Sequence, residues 1–298
     1  MEKRLFGKTQ MMVSVLGFGG AEIGFQGVSF DDASHMLNLA LDSGINVIDT
    51  AECYVNSEEL IGKAISHRRK DFYLFTKCGH KENYMTDGWT GKDVKKSIDT
   101  SLKKLNTDYL DLIQLHSCNQ AILAKGDVIK ALEEAKQAGK TRFIGYSGDG
   151  SDALYAINTG LFDTLQTSCN IADQECIDLT IPLAVKQNMG IIAKRPIANA
   201  AFTYKSMPDN DYHKPYYERL QTLKYSFING NPDLSAQIAL RFTLSVDGIC
   251  TAIVGTTKAS RFNQNIETVK LGKLDQNTFN QIRDTWHKTA AKDWVGQI

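Results

Sequence analysis

Three polar residues close apolar runs that have the composition of buried β-strands. Asp49 closes INVID, Lys77 closes FYLFTK and His116 closes YLDLIQLH. Parallel strands of an α/β barrel carry the active site at their carboxyl ends, so polar residues at these positions are candidates for catalysis. Taken singly, each has an ordinary explanation: a loop cap for Asp49, an exposed strand end for Lys77 and a hydrogen-bonded core histidine for His116. Their predicted convergence on one rim favours a shared chemical task.

Tyr54 lies shortly after Asp49, in DTAECY, where a loop can return it to the same rim. A phenol is a weak acid with an ordinary pKa of about 10, and a neighbouring ammonium lowers that pKa by stabilising the phenolate. Lys77 can supply the ammonium, while Asp49 keeps a buried lysine charged and oriented. His116 can then donate a hydrogen bond to a carbonyl oxygen. The four side chains thus predict acid–base chemistry on a carbonyl group.

The elements that must position these residues alternate along the whole chain. Short β-branched or aromatic runs alternate with amphipathic segments, which is typical of parallel β/α units. The eight predicted strands are Val15–Gly19, Ile45–Asp49, Phe72–Lys77, Tyr109–His116, Phe143–Ser147, Thr164–Ser168, Gly190–Lys194 and Thr251–Gly255. The predicted helices between them are Asp31–Asp42, Ser57–Ser66, Lys92–Leu105, Val128–Ala138, Ser151–Asn158, Ile177–Lys186, Leu234–Leu244 and Ser260–Val269. The pattern predicts an α/β fold, a (β/α)8 TIM barrel formed as a single domain by residues 1–298.

Two segments fall outside the alternation. FGKTQMMVS, near the N-terminus, predicts a β-hairpin that plugs the barrel floor. The stretch Pro196–Pro232 follows the seventh strand and predicts a long loop, and loops of this length in a compact domain are usually functional. Candidate walls of a substrate pocket are this stretch with Tyr204, Tyr212, Tyr216 and Tyr217, the segment CGHKENYMTDGWT after Lys77, and the C-terminal DWVGQI.

The charge balance argues against a polyanionic partner. The 298 residues include 34 Lys and Arg and 34 Asp and Glu, so no large field of one sign is available to hold nucleic acid or an anionic membrane. The N-terminal segment lacks the apolar core of a signal peptide, and no apolar run is long enough to cross a bilayer. Six scattered cysteines predict reduced thiols and no metal site. We expect a cytoplasmic protein, a monomer or weak homo-oligomer, that acts on a small molecule.

The segment GINVIDTAECYVNSEELIGKAI, followed by FTK and DLIQLH, resembles the core signature of the aldo-keto reductases in order, spacing and strand context. The likeness extends from RLFGKTQMMVSVLGFGG over essentially the whole chain. Members of that family are (β/α)8 barrels that bind a nicotinamide cofactor and reduce aldehydes or ketones to alcohols. The resemblance implies that Tyr54 is the general acid, that Lys77 and Asp49 tune it, and that His116 orients the substrate carbonyl.

The glycines of LGFGGAEIG do not complete a Rossmann fingerprint, because Glu22 stands where the third glycine of Gly-x-Gly-x-x-Gly is required. A phosphate site is predicted instead in AIVGTTKASRFNQNIE, where a strand gives way to a helix whose first amides can hold a phosphate. This segment resembles the family's clamp on the adenosine phosphate, although the family often has Lys and Glu at two of its positions, Gly255 and Gln264. The resemblance implies contacts from Gly255, Thr256, Arg261, Gln264 and Asn265.

The predicted cofactor is NADPH. Arg261 matches the arginine that faces the 2′-phosphate in the family, and Lys258 adds positive charge. No acidic residue lies between Gly255 and Asn265 to accept hydrogen bonds from a ribose diol. At the nicotinamide end the same likeness implies contacts from Gly19, Gly20, Ala21, Asp49, Ser147, Gly148, Gln166, Lys194 and Arg195.

Two of these positions depart from the family pattern. Gly148 replaces a common asparagine, and Lys194 stands where many members have an aromatic residue that stacks on the nicotinamide. The neighbouring Arg195 is long enough to reach the pyrophosphate or the ring.

Other functions stay open at the level of sequence. Lys77 at a strand end also suits a lyase or aldolase that forms a Schiff base, although Tyr54, His116 and Arg261 would then lack a shared explanation. Some proteins similar to this family bind the cofactor and act as regulatory or redox-sensing proteins with little turnover. The physiological reaction can also run as alcohol oxidation, and the sequence does not predict the substrate.

Overall fold

The barrel strands form a closed parallel sheet. The computed structural model describes residues 1–80 and 88–297. Strands β3 to β10 pair in chain order and β10 closes against β3, while β1 and β2 form a separate antiparallel pair. In chain order the strands are β1 (Lys3–Leu5), β2 (Met12–Ser14), β3 (Leu16–Gly19), β4 (Val47–Asp49), β5 (Tyr73–Cys78), β6 (Leu110–His116), β7 (Thr141–Ser147), β8 (Thr164–Ser168), β9 (Gly190–Lys194) and β10 (Thr251–Val254). The predicted (β/α)8 barrel is confirmed.

The barrel strands are largely buried on both faces, which explains why their sequences do not alternate between polar and apolar residues. Every residue of β3, β4, β6 and β8 is buried. A polar residue in such a strand therefore lies either among core side chains or at the strand's carboxyl end. Asp49 and His116 occupy the last positions of β4 and β6.

The N-terminal hairpin closes the amino-terminal end of the barrel, as predicted. Phe6 and Met11 are buried and pack with an apolar cluster inside the barrel. The ring of Phe6 stacks on that of Phe75 with centroids 5.5 Å apart. Gly190 begins β9 directly beneath this ring, and a Cβ there would lie 2.6 Å from a ring carbon of Phe6. Burying a phenylalanine side chain contributes about 1.5 to 3 kcal/mol to the free energy of folding. The burial of Phe6 therefore stabilises the packing of the hairpin against the barrel.

Helices surround the sheet; most predicted helices recur with small shifts at their ends, and further helices that were not predicted are also present. They are α1 (Ala21–Phe25), α2 (Phe30–Asp42), α3 (Ser57–Ile65), α4 (Gly91–Lys104), α5 (Gln120–Ala124), α6 (Asp127–Gln137), α7 (Gly150–Thr159), α8 (Glu175–Asp178), α9 (Ile181–Lys186), α10 (Lys214–Leu223), α11 (Pro232–Ser245), α12 (Ala259–Lys270) and α13 (Gln276–Thr289). The predicted helix Ile177–Lys186 is divided into α8 and α9, because Pro182 starts a new helix where its missing amide costs nothing. Over the described ranges, no helix has both the length and the apolar character of a bilayer span.

The stretch predicted as a long loop after the seventh strand is partly helical. Between Pro196 and Pro232 lie two 3-10 segments and α10. Three side chains of α10 share one face at helical spacing and are buried, namely Tyr216, Leu220 and Leu223. They pack with side chains of α11 and α13 in a second apolar cluster. This cluster anchors the segment beside the carboxyl ends of the strands.

Candidate functional site

The carboxyl ends of the barrel strands open into a long groove with a volume of about 1780 Å³. We call it the rim groove. It runs from Lys77 and His116, at its strand end, to Arg261 and Asn265, at its α12 end. Of the predicted site residues, all line this groove except Gly148, within the part of the chain that the structure describes.

Asp49 and Lys77 form a buried ion pair at the strand end. Lys77 Nζ lies 2.5 Å from Asp49 Oδ1, and each side chain is 2% exposed. The ammonium also donates to the carbonyl of Thr50 at 2.8 Å, and Gln166 Nε2 donates to Asp49 Oδ2 at 3.1 Å. Burial raises the pKa of the Asp49 carboxyl, and the Lys77 ammonium opposes that rise. Because each charge has a second hydrogen-bonded partner, the pair is held in one orientation.

Tyr54 lies on a turn against this ion pair. Its ring centroid is 5.2 Å from Lys77 Nζ and 5.8 Å from the ring of His116. The turn is fixed because the amide of Ser57 donates to the Tyr54 carbonyl at 2.9 Å. Gly24 packs against the same carbonyl so closely that a Cβ there would lie 2.2 Å from its oxygen. The structure therefore brings together the four residues predicted to form one acid–base group.

His116 is a buried histidine, and a thiol contacts one nitrogen of its ring. Cys53 Sγ lies 3.4 Å from His116 Nδ1, and the ring of His80 lies 5.5 Å away. Burial lowers the pKa of His116 well below its ordinary value, and the positive charge of Lys77 lowers that pKa further. A neutral imidazole has one N–H donor and one acceptor nitrogen. A thiol that donates to Nδ1 therefore favours the tautomer in which Nε2 carries the hydrogen.

Two buried polar atoms in the rim groove have capacity for a ligand. Ser147 Oγ and Gln166 Oε1 have no hydrogen-bond partner among the described residues. They lie side by side, because β7 and β8 pair Ser147 with Gln166 in register. Buried polar atoms normally have partners, so these two fit a ligand group that both donates and accepts, such as a carboxamide.

Gly148 lies beside these residues without lining the groove. A Cβ at this position would lie 2.6 Å from the hydroxyl of Tyr146. That hydroxyl donates to the carbonyl of Cys118 at 2.6 Å, so Tyr146 fills the space where a side chain at position 148 would lie. The predicted contact of Gly148 with a cofactor stays a prediction.

Lys194 and Arg195 line the rim groove and also form an ion pair or hydrogen bonds with other residues of the protein. Lys194 Nζ lies 2.8 Å from Asp149 Oδ2. Arg195 donates to Ser168 Oγ at 3.0 Å and to the carbonyl of Gln297 at 2.6 Å. Burial lowers the pKa of Lys194, and Asp149 opposes that shift. The C-terminal segment, predicted as a pocket wall, contacts both cations through the Gln297 carbonyl, but none of its described residues lines the groove.

The α12 end has the predicted turn and two carboxyl groups that the sequence analysis did not assign to it. Glu22 lies against Gly255, where a Cβ would be 1.5 Å from Glu22 Oε2. A side chain at position 255 would therefore require the Glu22 carboxyl to shift. Burial raises the pKa of Glu22. Arg261 donates to a carboxylate oxygen of Asp233 and, at 3.1 Å, to Gln264 Oε1.

The other predicted pocket walls have mixed outcomes. Tyr212 lines the groove, whereas Tyr216 is buried in the second apolar cluster. In the segment after Lys77, His80 lines the groove and packs edge-on against Trp89 with centroids 5.1 Å apart. Residues 81–87, which carry KENYMTD, lie outside the described residues. The spacing of His80 from Lys77 at the end of β5 could have identified it, but no sequence signal points to Glu22 or Asp233.

Comparisons with known proteins agree with this fold. The model of the aldo/keto reductase family matches residues 15–287. An L-galactose dehydrogenase from Arabidopsis thaliana is 30% identical over 100% of this chain and 98% of its own. The uncharacterized oxidoreductase YqkF from Bacillus subtilis is 28% identical over 93% of this chain and 94% of its own. The holo form of the aldo-keto reductase AKR11C1 from Bacillus halodurans superposes with a TM-score of 0.82, at 26% identity and 96% coverage of both chains.

Proposed function

Because this chain belongs to the aldo/keto reductase family, a family of oxidoreductases that use nicotinamide cofactors, we propose that it is an NADPH-dependent carbonyl reductase. One observation carries the proposal. Tyr54, the Asp49–Lys77 pair and His116 meet at one end of a groove whose other end carries Arg261. A substrate carbonyl at the strand end would therefore contact acid–base groups while the cofactor extends toward α12.

Tyr54 is the proposed general acid. Its hydroxyl donates a proton to the carbonyl oxygen as that oxygen gains negative charge. The Lys77 ammonium, 5.2 Å from the phenol ring, stabilises the phenolate that remains. Asp49 orients the Lys77 side chain through the 2.5 Å contact. In the direction of alcohol oxidation the same phenolate takes the proton back.

His116 is the proposed orienting donor. Its neutral ring, with the hydrogen on Nε2, donates to the carbonyl oxygen and stabilises the developing alkoxide without competing for the proton of Tyr54. Cys53 is the proposed positioning residue for this task, since a thiol that donates to Nδ1 matches the tautomer with the hydrogen on Nε2.

The cofactor assignment is supported by the polar atoms along the rim groove. The reduced nicotinamide, when bound, supplies a hydride to the carbonyl carbon. Ser147 Oγ and Gln166 Oε1 would hold its carboxamide, and both atoms have the unused capacity for this among the described residues. Gly19 and Gly20 also line the groove, and Gly20 packs closely against α3, as a Cβ there would lie 2.7 Å from Ser57 Oγ. At the α12 end, Arg261 would face the 2′-phosphate of NADPH.

A polyhydroxylated carbonyl compound, such as an aldose, is the proposed substrate class. The relative with 30% identity is named for a sugar substrate, L-galactose. The lining of the rim groove includes several hydrogen-bonding side chains, namely His80, Ser117, Asn199, Asn210 and Tyr212. Sugar hydroxyl groups could form hydrogen bonds with side chains of this kind, which a purely apolar aldehyde could not.

A Schiff-base lyase is less well supported. Lys77 donates to both Asp49 and the Thr50 carbonyl, and an ammonium held by two acceptors is not the free amine that attacks a carbonyl. A cofactor-binding regulatory protein would not require the Tyr54–Lys77–Asp49 arrangement.

Steady-state assays test the proposal. NADPH consumption is followed with a panel of short aldehydes, ketones and aldoses, and NADP⁺ reduction is followed with sugars. We expect turnover with at least one aldose or its lactol, and none with the Tyr54→Phe variant. Binding of NADPH without turnover on any member of the panel would favour a regulatory role. Borohydride trapping of a carbonyl substrate on Lys77 would favour the lyase.

A further inference from the structure

Asp233 places a carboxylate against Arg261, the residue proposed to face the 2′-phosphate. Arg261 Nη1 contacts Asp233 Oδ1, and the two side chains are 51% and 54% exposed. Asp233 lies in the first turn of α11, Arg261 lies in the first turn of α12, and both line the rim groove. A ligand that reaches the α12 end therefore meets a cation and an anion that are already paired with each other.

The position of Asp233 is set by the start of α11. Asn231 is the N-cap residue, and its Oδ1 accepts from the amide of Asp233 at 2.8 Å. Pro232 occupies the first turn of the helix, where its fixed φ favours helix initiation. The amino-terminal end of the helix also stabilises negative charge. The backbone of Asp233 is thus held at the edge of the groove by the start of its own helix.

Other acidic groups at this end are engaged elsewhere. Glu267 Oε1 accepts from Lys270 at 2.6 Å. Glu22 lies against Gly255, and burial raises its pKa. Among the described residues that line the groove, Asp233 is therefore the carboxylate in contact with Arg261.

The two nicotinamide dinucleotides present opposite chemistry to this pair. NADPH carries a phosphate on the adenosine 2′-oxygen, with about 1.5 to 2 negative charges at neutral pH if it titrates as an ordinary phosphate monoester. To bind Arg261, that phosphate must displace the Asp233 carboxylate. It then lies beside the negative charge of Asp233. NADH has a free 2′,3′-diol, whose hydroxyl groups can donate to the carboxylate while Arg261 stays paired.

We propose that Asp233 is a cofactor-selectivity residue, which competes with the 2′-phosphate of NADPH for Arg261 and accepts hydrogen bonds from the adenosine ribose diol of NADH. The inference rests on the proposed function, because it requires the α12 end to bind the adenosine half of a nicotinamide dinucleotide. It implies that the protein binds both dinucleotides, with a smaller preference for NADPH than Arg261 alone would give.

Binding measurements on the full chain test this inference without relying on turnover. Adenosine 2′,5′-bisphosphate and 5′-ADP are titrated by calorimetry, and NADPH and NADH by protein fluorescence. Because an exposed ion pair is weak, Asp233→Asn is expected to tighten binding of the 2′-phosphorylated ligands by about three- to tenfold. The same variant is expected to weaken binding of the diol ligands by about two- to fivefold. Asp247→Asn is the matched control, since Asp247 is 98% exposed and outside the groove lining.

A double-mutant cycle separates competition from general charge effects. In the Arg261→Ala background, Asp233→Asn is expected to give a smaller gain for the 2′-phosphorylated ligands, because there is no guanidinium left to release. A ratio of NADPH to NADH affinity that does not change in Asp233→Asn would overturn the inference, as would equal tightening of both. A folded wild-type protein that binds neither dinucleotide would overturn the proposed function as well. Loss of turnover alone, with the affinity ratio shifted as expected, would count only against the catalytic assignment.

Discussion

Cys53 Sγ lies 3.4 Å from Nδ1 of His116, and burial keeps the pKa of that histidine well below its ordinary value. The thiol donates to Nδ1 only when Nε2 carries the ring hydrogen, so the contact aligns the imidazole for donation to a substrate oxygen. A hydrogen bond of this type contributes about 0.5 to 1.5 kcal/mol. We expect Cys53→Ala to lower kcat/KM by about three- to tenfold, with cofactor affinity unchanged, and Cys53→Ser to retain most of the activity. Cys250→Ala, at the floor of the barrel, is the control, and equal losses in both alanine variants would contradict this role.

Tyr54→Phe removes the proposed proton donor while preserving the ring that packs 5.5 Å from Phe25. General acid catalysis commonly contributes about 10²- to 10⁴-fold, so we expect a loss of carbonyl reduction in that range or beyond. Cofactor affinity should change little, because the phenol hydroxyl is not proposed to hold the dinucleotide. Stopped-flow turnover and a fluorescence titration on the same preparation check both statements. Wild-type turnover in this variant would remove Tyr54 from its assigned role.

Lys77→Met is expected to be almost as damaging as Tyr54→Phe, because the phenolate left by proton transfer loses the ammonium proposed to stabilise it. Breaking a buried ion pair by removing one partner costs about 3 to 5 kcal/mol, so the variant also needs a thermal unfolding measurement. In any residual activity, the pH–rate profile should shift toward higher pH for the group assigned to Tyr54. An unchanged profile in a folded variant would contradict the coupling of Lys77 to Tyr54.

The sequence predicts the barrel and its strand-end chemistry because both depend on local patterns. The buried strands β4 and β6 have largely apolar sequences. Each ends with a polar residue, Asp49 in β4 and His116 in β6. Carboxyl ends of neighbouring parallel strands must meet at one rim. The approach of Asp49 to Lys77 therefore follows from fold class and position, without knowledge of any side-chain rotamer.

The contacts that the sequence could not predict join segments far apart in the chain. Asp233 meets Arg261 because α11 and α12 begin side by side, and Glu22 meets Gly255 because β3 pairs with β10. The absence of an acidic residue between Gly255 and Asn265 predicted that nothing acidic would face the ribose. Acidic groups from α1 and α11 reach the same place, and no local pattern indicates such a contact.

Glu58→Gln is expected to make stability less dependent on pH. Glu58 is buried, accepts from Thr76 Oγ1 at 2.7 Å, and has its pKa raised by burial from 4.5 to about 7. The folded protein therefore keeps a proton that the unfolded chain releases between about pH 4.5 and 7, so this group's contribution to the free energy of unfolding falls as pH rises through that window. Glutamine does not titrate, and its advantage over glutamate should grow by about 2 to 3 kcal/mol from pH 5 to 8.

Urea unfolding of wild type and Glu58→Gln at pH 5, 6.5 and 8 measures this difference directly, since other titrating groups cancel between the two proteins. Glu133→Gln on the exposed face of α6 is the matched control for replacing a carboxylate by an amide. A constant offset between Glu58→Gln and wild type across the three pH values would show that Glu58 titrates normally in the folded protein.

Arg261→Ala is expected to weaken NADPH binding far more than NADH binding. The 2′-phosphate distinguishes the two cofactors, and a guanidinium can engage it through two parallel charge-assisted hydrogen bonds. Losing that contact costs about 1.5 to 3 kcal/mol, or roughly one to two decades of affinity. The loss should appear in cofactor affinity more than in the rate at saturation, because α12 begins at the end of the groove remote from Tyr54.

Fluorescence titration of both cofactors into Arg261→Ala and Arg261→Lys measures this preference. The lysine variant keeps the charge but loses the two-pronged geometry, so its NADPH affinity should fall between those of wild type and Arg261→Ala. Lys136→Ala, which removes an exposed cation on α6 outside the groove lining, controls for net charge. Equal losses for NADPH and NADH in Arg261→Ala would show that Arg261 does not recognise the phosphate, and NADPH would then have no selective contact on α12.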